Sequence, residues 1–234
     1  MVETPQMSER ENILTRIRQA LTIPANKPDG SGVQNAKAVA PEAEGGYASF
    51  LPATTTGFEE QRKQFQNNAL ELKAGFHFLE NASEAANVLT KIRDAEGWKK
   101  VASHTGQLTL PVCKTLGLPT MIVDEAFDKN ELETCDAGIT ECDALVAQTG
   151  SVLVTSRSAG GRALSVLPPH HIVLARRDQM VADLPAAFAL LKRKYGGDFP
   201  SMMSFITGPS RTGDIERILV LGAHGPKKLT ILCF

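Results

Sequence analysis

From Gly75 onward the chain alternates short apolar runs with stretches patterned for helix, and this alternation restricts the fold more than any other feature. Phe76–Leu79 has strand character, and Ser83 can cap a helix carrying Ala86, Val88, Leu89 and Ile92. Val101–His104 is a second strand, followed by a short helix after Pro111. Pro119–Asp124 is a third, with Met121, Ile122 and Val123 at its centre. Strands separated by helices cannot pair as hairpins, so such βα units build a mostly parallel sheet with covered faces.

After Ile139 the character changes. Ala144–Ala147 and Ser151–Thr155 are β-type runs joined by Gln148-Thr149-Gly150, which reads as a hairpin with glycine at the turn. Ile172–Ala175 is a strand entered through Pro168-Pro169. Asp183 caps a helix with Pro185 in its first turn. Ser204–Thr207, Ile218–Leu221 and Leu229–Leu232 complete the strands, and there is no internal repeat.

Upstream, Ser8 to Glu11 forms a Ser-x-x-Glu capping box, and Ile13, Leu14, Ile17 and Leu21 follow at helical spacing, which predicts an amphipathic helix near residues 8–22. Pro24 to Gly46 is rich in Pro, Gly, Ala and Asn without a period, the composition of a linker or a draped arm. A second helix is expected from Thr54 to about Leu72, presenting Phe58, Phe65, Ala69 and Leu72. The expected organisation is therefore a helical arm over residues 1–46 and a single α/β domain with a mixed sheet over residues 47–234.

Composition narrows the function classes. Of 234 residues, 42% are hydrophobic, enough for a sizeable core. A formal net charge of -1 without any Lys/Arg block excludes a nucleic-acid footprint. No apolar run approaches the ~18 residues of a membrane span, and Met1–Arg10 has no signal-peptide core, so the cytosol is the expected compartment. Cys113, Cys135, Cys142 and Cys233 show no metal-site spacing, which argues against a zinc or iron–sulfur site and for free buried thiols. No cofactor is expected.

The densest chemistry lies in Thr207–Pro226, TGPSRTGDIERILVLGAHGP. Ser210, Thr212 and the backbone N–H groups around Gly213 suit an anion, and Arg211 offers a planar fork for a carboxylate or phosphate. Asp214 and Glu216 alternate along an extended segment and can face one cleft; the bland reading pairs Asp214 with Arg211 or Arg217 as loop scaffolding. His224, between glycines after an apolar strand, suits either acid–base work or a structural hydrogen bond. Of His170 and His171, alternation lets only one reach the same cleft. Gln148, Thr149, Gly150 and Ser151 form a weaker ligand-binding candidate, since hairpin geometry alone explains the glycine. Asp143 binds a ligand or caps a turn. Ser158-Ala159-Gly160-Gly161-Arg162 is a mobile lid or a plain connection. Ser103-His104-Thr105-Gly106 ends a strand, where ligands of α/β sheets gather.

Together, Gly138-Ile139-Thr140 with Cys142-Asp143, Ala147–Ser151, Leu167–His171, Gly208–Glu216 and Gly222–Pro226 resemble the LUD domain of the lactate-utilisation protein C family, over roughly Phe76 to Phe234. The resemblance implies a NagB/RpiA/CoA-transferase-like fold. It also implies an accessory role in oxidising L-lactate to pyruvate beside two iron–sulfur partner proteins; the small anionic metabolite expected as ligand follows from the Ser210, Arg211 and Thr212 cluster. The open alternatives are a free-standing isomerase or transferase acting on a sugar phosphate or acyl-CoA, and a ligand-sensing module. Where members of that family carry Ala-Glu-Thr-Gly at the hairpin, this chain has Gln148. A carboxamide is no nucleophile at neutral pH, so Gln148 argues against covalent CoA transfer there and leaves it a hydrogen-bonding role.

Overall fold

The computed structural model describes residues 9–22, 51–124, 126–212, 220–222 and 224–234. The chain divides into two units, Met1–Phe50 and Leu51–Phe234. In the first, α1 spans Glu9–Thr22, the helix that the Ile13 and Leu14 spacing predicts. The expected boundary between residues 46 and 47 falls outside the described residues.

The second unit opens with α2 (Phe58–Glu71), β1 (Gly75–Phe78), α3 (Ala82–Glu96), β2 (Val101–Ser103), α4 (Thr109–Leu116), β3 (Thr120–Ile122) and a short α5 (Lys129–Glu133). It continues with β4 (Ala137–Glu141), the hairpin β5 (Ala144–Val146) and β6 (Ser151–Thr155), β7 (His170–Ala175), β8 (Met180–Val181) and α6 (Leu184–Tyr195). Last come β9 (Met203–Ile206), β10 (Arg211–Thr212), β11 (Val220–Leu221) and β12 (Lys228–Cys233).

Local chemistry sets the helix ends. Asp183 accepts a hydrogen bond from the Ala186 N–H at 2.8 Å, with Pro185 beside it in the first turn. At α3 the cap is Asn81, two residues before the expected Ser83. Its side chain accepts from the Glu84 N–H at 3.1 Å. Asn81 has the extended backbone a cap needs, whereas Ser83 already lies inside the helix.

The strands divide between two main sheets. A parallel six-stranded sheet runs β1-β12-β7-β4-β2-β3, and a mixed sheet runs β8-β5-β6-β9, with β10 and β11 forming a separate two-stranded ribbon. The architecture is α/β, as the alternation predicts, and is compatible with the NagB/RpiA-like expectation. One face of the parallel sheet packs Ile139, Ile172, Leu174 and Leu232 against Leu89 of α3 and Val112 and Leu116 of α4. The opposite face sets Val173, Leu229 and Ile231 against Leu145, Val152 and Val154 of the mixed sheet and Phe65 and Ala69 of α2. The far side of the mixed sheet is covered by Ala187 and Leu191 of α6. Each Leu or Ile so buried contributes about 1.5–3 kcal/mol.

β7 lies between β12 and β4 and is buried along its whole length. Its side chains alternate: Ile172 and Leu174 join the α3–α4 face, Val173 and Ala175 the mixed-sheet face. The two histidines at its entrance inherit that alternation.

Candidate functional site

A cavity of about 380 Å³ lies at the amino ends of β7 and β12. Its wall includes His171 and Leu229 from those strands, Met202 to Ser204 and Ile206 along β9, Arg162, Ser165 and Val166, and two turns, Gly208–Ser210 and His224–Pro226.

The turns are laced to each other and to the sheet. The Ser210 N–H donates to the Pro226 carbonyl and the Gly222 N–H to the Ser210 carbonyl, both at 2.9 Å. β10 and β11 pair Arg211 with Leu221 and Thr212 with Val220. The Lys227 and Lys228 N–H groups both donate to the Pro169 carbonyl, at 2.8 and 3.2 Å, which fastens the second turn to the entrance of β7. Ser210 and His224, fourteen residues apart in the sequence, thereby line one cavity.

His171, like Ser165, is a buried polar residue of this wall. Its Nε2 shares a 2.9 Å hydrogen bond with Thr140 Oγ1, while Nδ1 has no partner. Burial pushes its pKa down to about 3, so the ring is neutral near pH 7. Arg162 is exposed at the rim, and Ser165 Oγ donates to the Arg162 carbonyl at 3.1 Å. His224 is also exposed. Val166, Met202, Ile206, Pro209 and Leu229 supply apolar wall. An apolar cleft with one guanidinium, an exposed imidazole and hydroxyls has the chemistry to hold an organic anion.

The structure sorts the other predicted residues. Arg211 is outside this lining; its Nη2 donates to the Leu72 carbonyl at the end of α2. Thr212 belongs to β10. Gly213, Asp214 and Glu216 lie outside the described residues. The hairpin tip sits beneath α2: Asn68 Nδ2 donates to the carbonyls of Ala147 and Gln148, at 2.8 and 3.1 Å. Gln148 Nε2 donates to the Pro52 carbonyl at 2.7 Å, and the Gln148 N–H donates to the Ala182 carbonyl at 2.9 Å. Gly150 has φ 65, and a Cβ there would stand 2.8 Å from Asn68 Cβ. Thr149, Ser151 and Thr207 form a hydroxyl chain with both links at 2.8 Å, which connects the hairpin tip to Thr207, the neighbour of Gly208.

His170 faces the other way. Its Nδ1 meets Glu96 at 3.0 Å and its Nε2 meets Thr230 at 2.9 Å, and burial lowers its pKa against the opposing pull of Glu96. His104, at the carboxyl end of β2, is buried against Gly160; its Nε2 accepts the Glu141 N–H at 3.2 Å. His104 is buried at that strand end, whereas the cavity lined by His171 opens at amino ends. Asp143 accepts from Lys194 Nζ at 2.6 Å and Tyr195 OH at 2.7 Å. Burial raises its pKa, but these bonds, with Ser158 and Thr155, outweigh that and leave it lowered. Among the described residues no group of three or more His, Cys, Asp or Glu side chains is arranged to hold a metal ion, and no helix is long and apolar enough to cross a membrane.

Arg162 lines the cavity although its glycine-rich segment reads in the sequence as either a lid or a plain connection. The alternation along β7 signals that one of His170 and His171 turns to the cavity, without saying which.

The LUD domain model matches residues 62–233. The lactate utilization protein C of Shouchella clausii is 38% identical over 99 residues, 42% of this chain and 43% of that protein. Its Deinococcus radiodurans namesake is 30% identical over 119 residues, 50% of this chain and 55% of that protein. The matched stretches thus span about half the length of these relatives. An uncharacterised protein of Neisseria meningitidis aligns over 97% of this chain and 93% of its own length, at 26% identity. A crystal structure of a DUF162 family protein from Deinococcus radiodurans superposes with a TM-score of 0.60 at 22% identity, covering 76% of this chain and 99% of that one. That likeness shows a shared fold.

Proposed function

Because this chain belongs to the LUD domain family, we propose that it serves lactate utilisation, as an accessory protein that binds a small organic anion and works beside iron–sulfur proteins oxidising L-lactate to pyruvate. The observation that carries this reading is the stretch 38% identical to a lactate utilization protein C. The cavity around His171, Ser210 and His224 supports the ligand-binding part, with the Arg162 guanidinium at its rim to meet a carboxylate. His224, with Asp214 and Glu216 from the same motif, supplies the proton-transfer groups. The hairpin residues Gln148, Thr149, Gly150 and Ser151 act on the ligand through Thr207. Residues 1–46 are the docking arm for the partners, in a cytoplasmic setting. Covalent acyl transfer at the hairpin forms no part of the proposal, because Gln148 offers a carboxamide whose nitrogen is bound to Pro52.

Deleting the gene is expected to abolish growth on L-lactate and leave growth on glucose intact, with rescue by a plasmid copy. The tagged protein recovered from lactate-grown cells should bring iron–sulfur proteins with it in stoichiometric amounts. Normal growth of the deletion strain on L-lactate would overturn the reading.

A further inference from the structure

The cavity is too large for lactate, and its inner wall asks for something lactate lacks. A volume near 380 Å³ equals about a dozen water molecules' share of the liquid. A three-carbon hydroxy acid fills roughly half of that or less. Much of the remaining wall is apolar, with Ser165, Ser204 and Ser210 interspersed, and Met202 and Met203 bring thioethers, which favour contact with aromatic rings.

Polarity further constrains the ligand. At the rim, Arg162 and His224 favour an anionic end. In the buried wall, His171 carries a nitrogen without a partner. A neutral imidazole cannot neutralise a second charge, so a dianion with charge at both ends is rejected by desolvation. A wholly apolar tail leaves the nitrogen unsatisfied, which costs on the order of 1–3 kcal/mol. A neutral hydroxyl or carbonyl group at the far end of the ligand answers both conditions.

Resting on the reading of this cavity as an organic-acid site, we infer that it takes a 2-hydroxy or 2-oxo acid with an aromatic side chain whose far edge carries a neutral polar group. The carboxylate meets Arg162 at the rim, the ring lies against Met202, Ile206 and Leu229, and the polar group reaches His171 Nδ1.

The test titrates the full-length protein with three acids that differ one step at a time: L-lactate, 3-phenyllactate and 3-(4-hydroxyphenyl)lactate. Phenyllactate should bind at least about tenfold more tightly than lactate, through burial of the ring. The phenolic hydroxyl should add about threefold to tenfold. His171→Leu should erase the hydroxyl increment and keep the ring increment. Arg162→Ala, at an exposed position, should weaken all three by about tenfold while leaving the melting temperature unchanged. Should His171→Leu fail to fold, imidazole nitrogen NMR of the wild-type protein gives the same answer, because only the phenolic acid should shift the His171 Nδ1 resonance. Lactate binding as tightly as the aryl acids, an added hydroxyl without effect, or no binding by any of the three would each overturn the inference. A lactate growth defect alongside lactate-selective binding would sink the aryl-acid class and leave the lactate-utilisation reading standing. Aryl-acid binding with normal growth on lactate would support the cavity assignment and sink that reading.

Discussion

The hairpin tip and the cavity rim both set hydrogen-bonding side chains beside glycines, yet the molecule uses them in opposite ways. At the tip, Asn68, Gln148, Thr149 and Ser151 spend their hydrogen bonds on one another and on backbone, leaving Gln148 Oε1 as the side-chain atom without a partner. At the rim, Arg162 and His224 stand exposed over a cleft, and His171 keeps a nitrogen free in its wall. Polar residues near a tight turn therefore do not reveal whether they serve the fold or a ligand. What decides is the element that covers them: α2 lies on the hairpin, while the cleft remains open.

The largest expected difference comes from adding one methyl group to each region. Gly150→Ala must hold φ 65 and press its Cβ to 2.8 Å from Asn68 Cβ and 3.1 Å from the Ala69 nitrogen. A loss of about 2–4 kcal/mol is expected, read as a lower urea midpoint at unchanged slope. Among the described residues, Gly225→Ala at the rim meets only Ser210, with Cβ 3.2 Å away, and should cost less than about 1 kcal/mol. Equal losses at the two positions would break the contrast.

Acid sharpens it next. The His171 ring has a pKa pushed down to about 3 when folded, against the ordinary histidine value of 6.5. The folded protein keeps it neutral and the unfolded chain protonates it. Its contribution is therefore intact above about pH 6.5 and is lost at about 1.4 kcal/mol per pH unit on acidification toward the folded value. Between about pH 7.5 and 5.5 the wild-type protein should lose about 1.4 kcal/mol more stability than His171→Leu, in denaturant titrations at each pH. The remaining histidines are common to both proteins and cancel. Parallel stability curves would mean that His171 is not held neutral in the wall.

The smallest effect is expected at Arg211. Removing its bond to the Leu72 carbonyl should cost about 0.5 kcal/mol, as for an exposed hydrogen bond. Arg211→Ala should also leave organic-acid affinity unchanged, unlike Arg162→Ala. A drop in affinity with Arg211→Ala would move the anion from the cavity to the Gly-Pro loop.

Features encoded over a few residues were legible in the sequence. Asp183 with Pro185 marks the start of α6, and Gln148-Thr149-Gly150 marks the hairpin. β4 escaped, because Ala137-Gly138-Ile139-Thr140-Glu141 has neither alternation nor bulk. The reason is steric: a Cβ on Gly138 would overlap the Leu164 carbonyl, so the strand needs a small residue where another segment crosses it. The two-residue strands β8 and β10 are too short to leave a pattern. Division of the strands between two main sheets was equally hidden, since strand runs do not name distant partners. At the site, the motifs around Ser210 and His224 were visible in sequence, whereas Arg162 joins them through a tertiary approach that spacing does not record.

The crossing of Pro169 and the second turn has a further consequence for β7. A strand flanked by partners on both edges and buried on both faces carries little internal instruction about its alignment, because sliding it by one residue exchanges one apolar side chain for another. The instruction comes instead from the doorway. Pro168 and Pro169 bring no N–H of their own, and the Pro169 carbonyl takes up two from the chain entering β12. This doorway works as an alignment mark, counting the ladder from its first rung. A one-residue insertion between Pro169 and His170 would still present an imidazole to the cleft, but it would be His170, drawn away from Glu96 and leaving that carboxylate without its histidine partner.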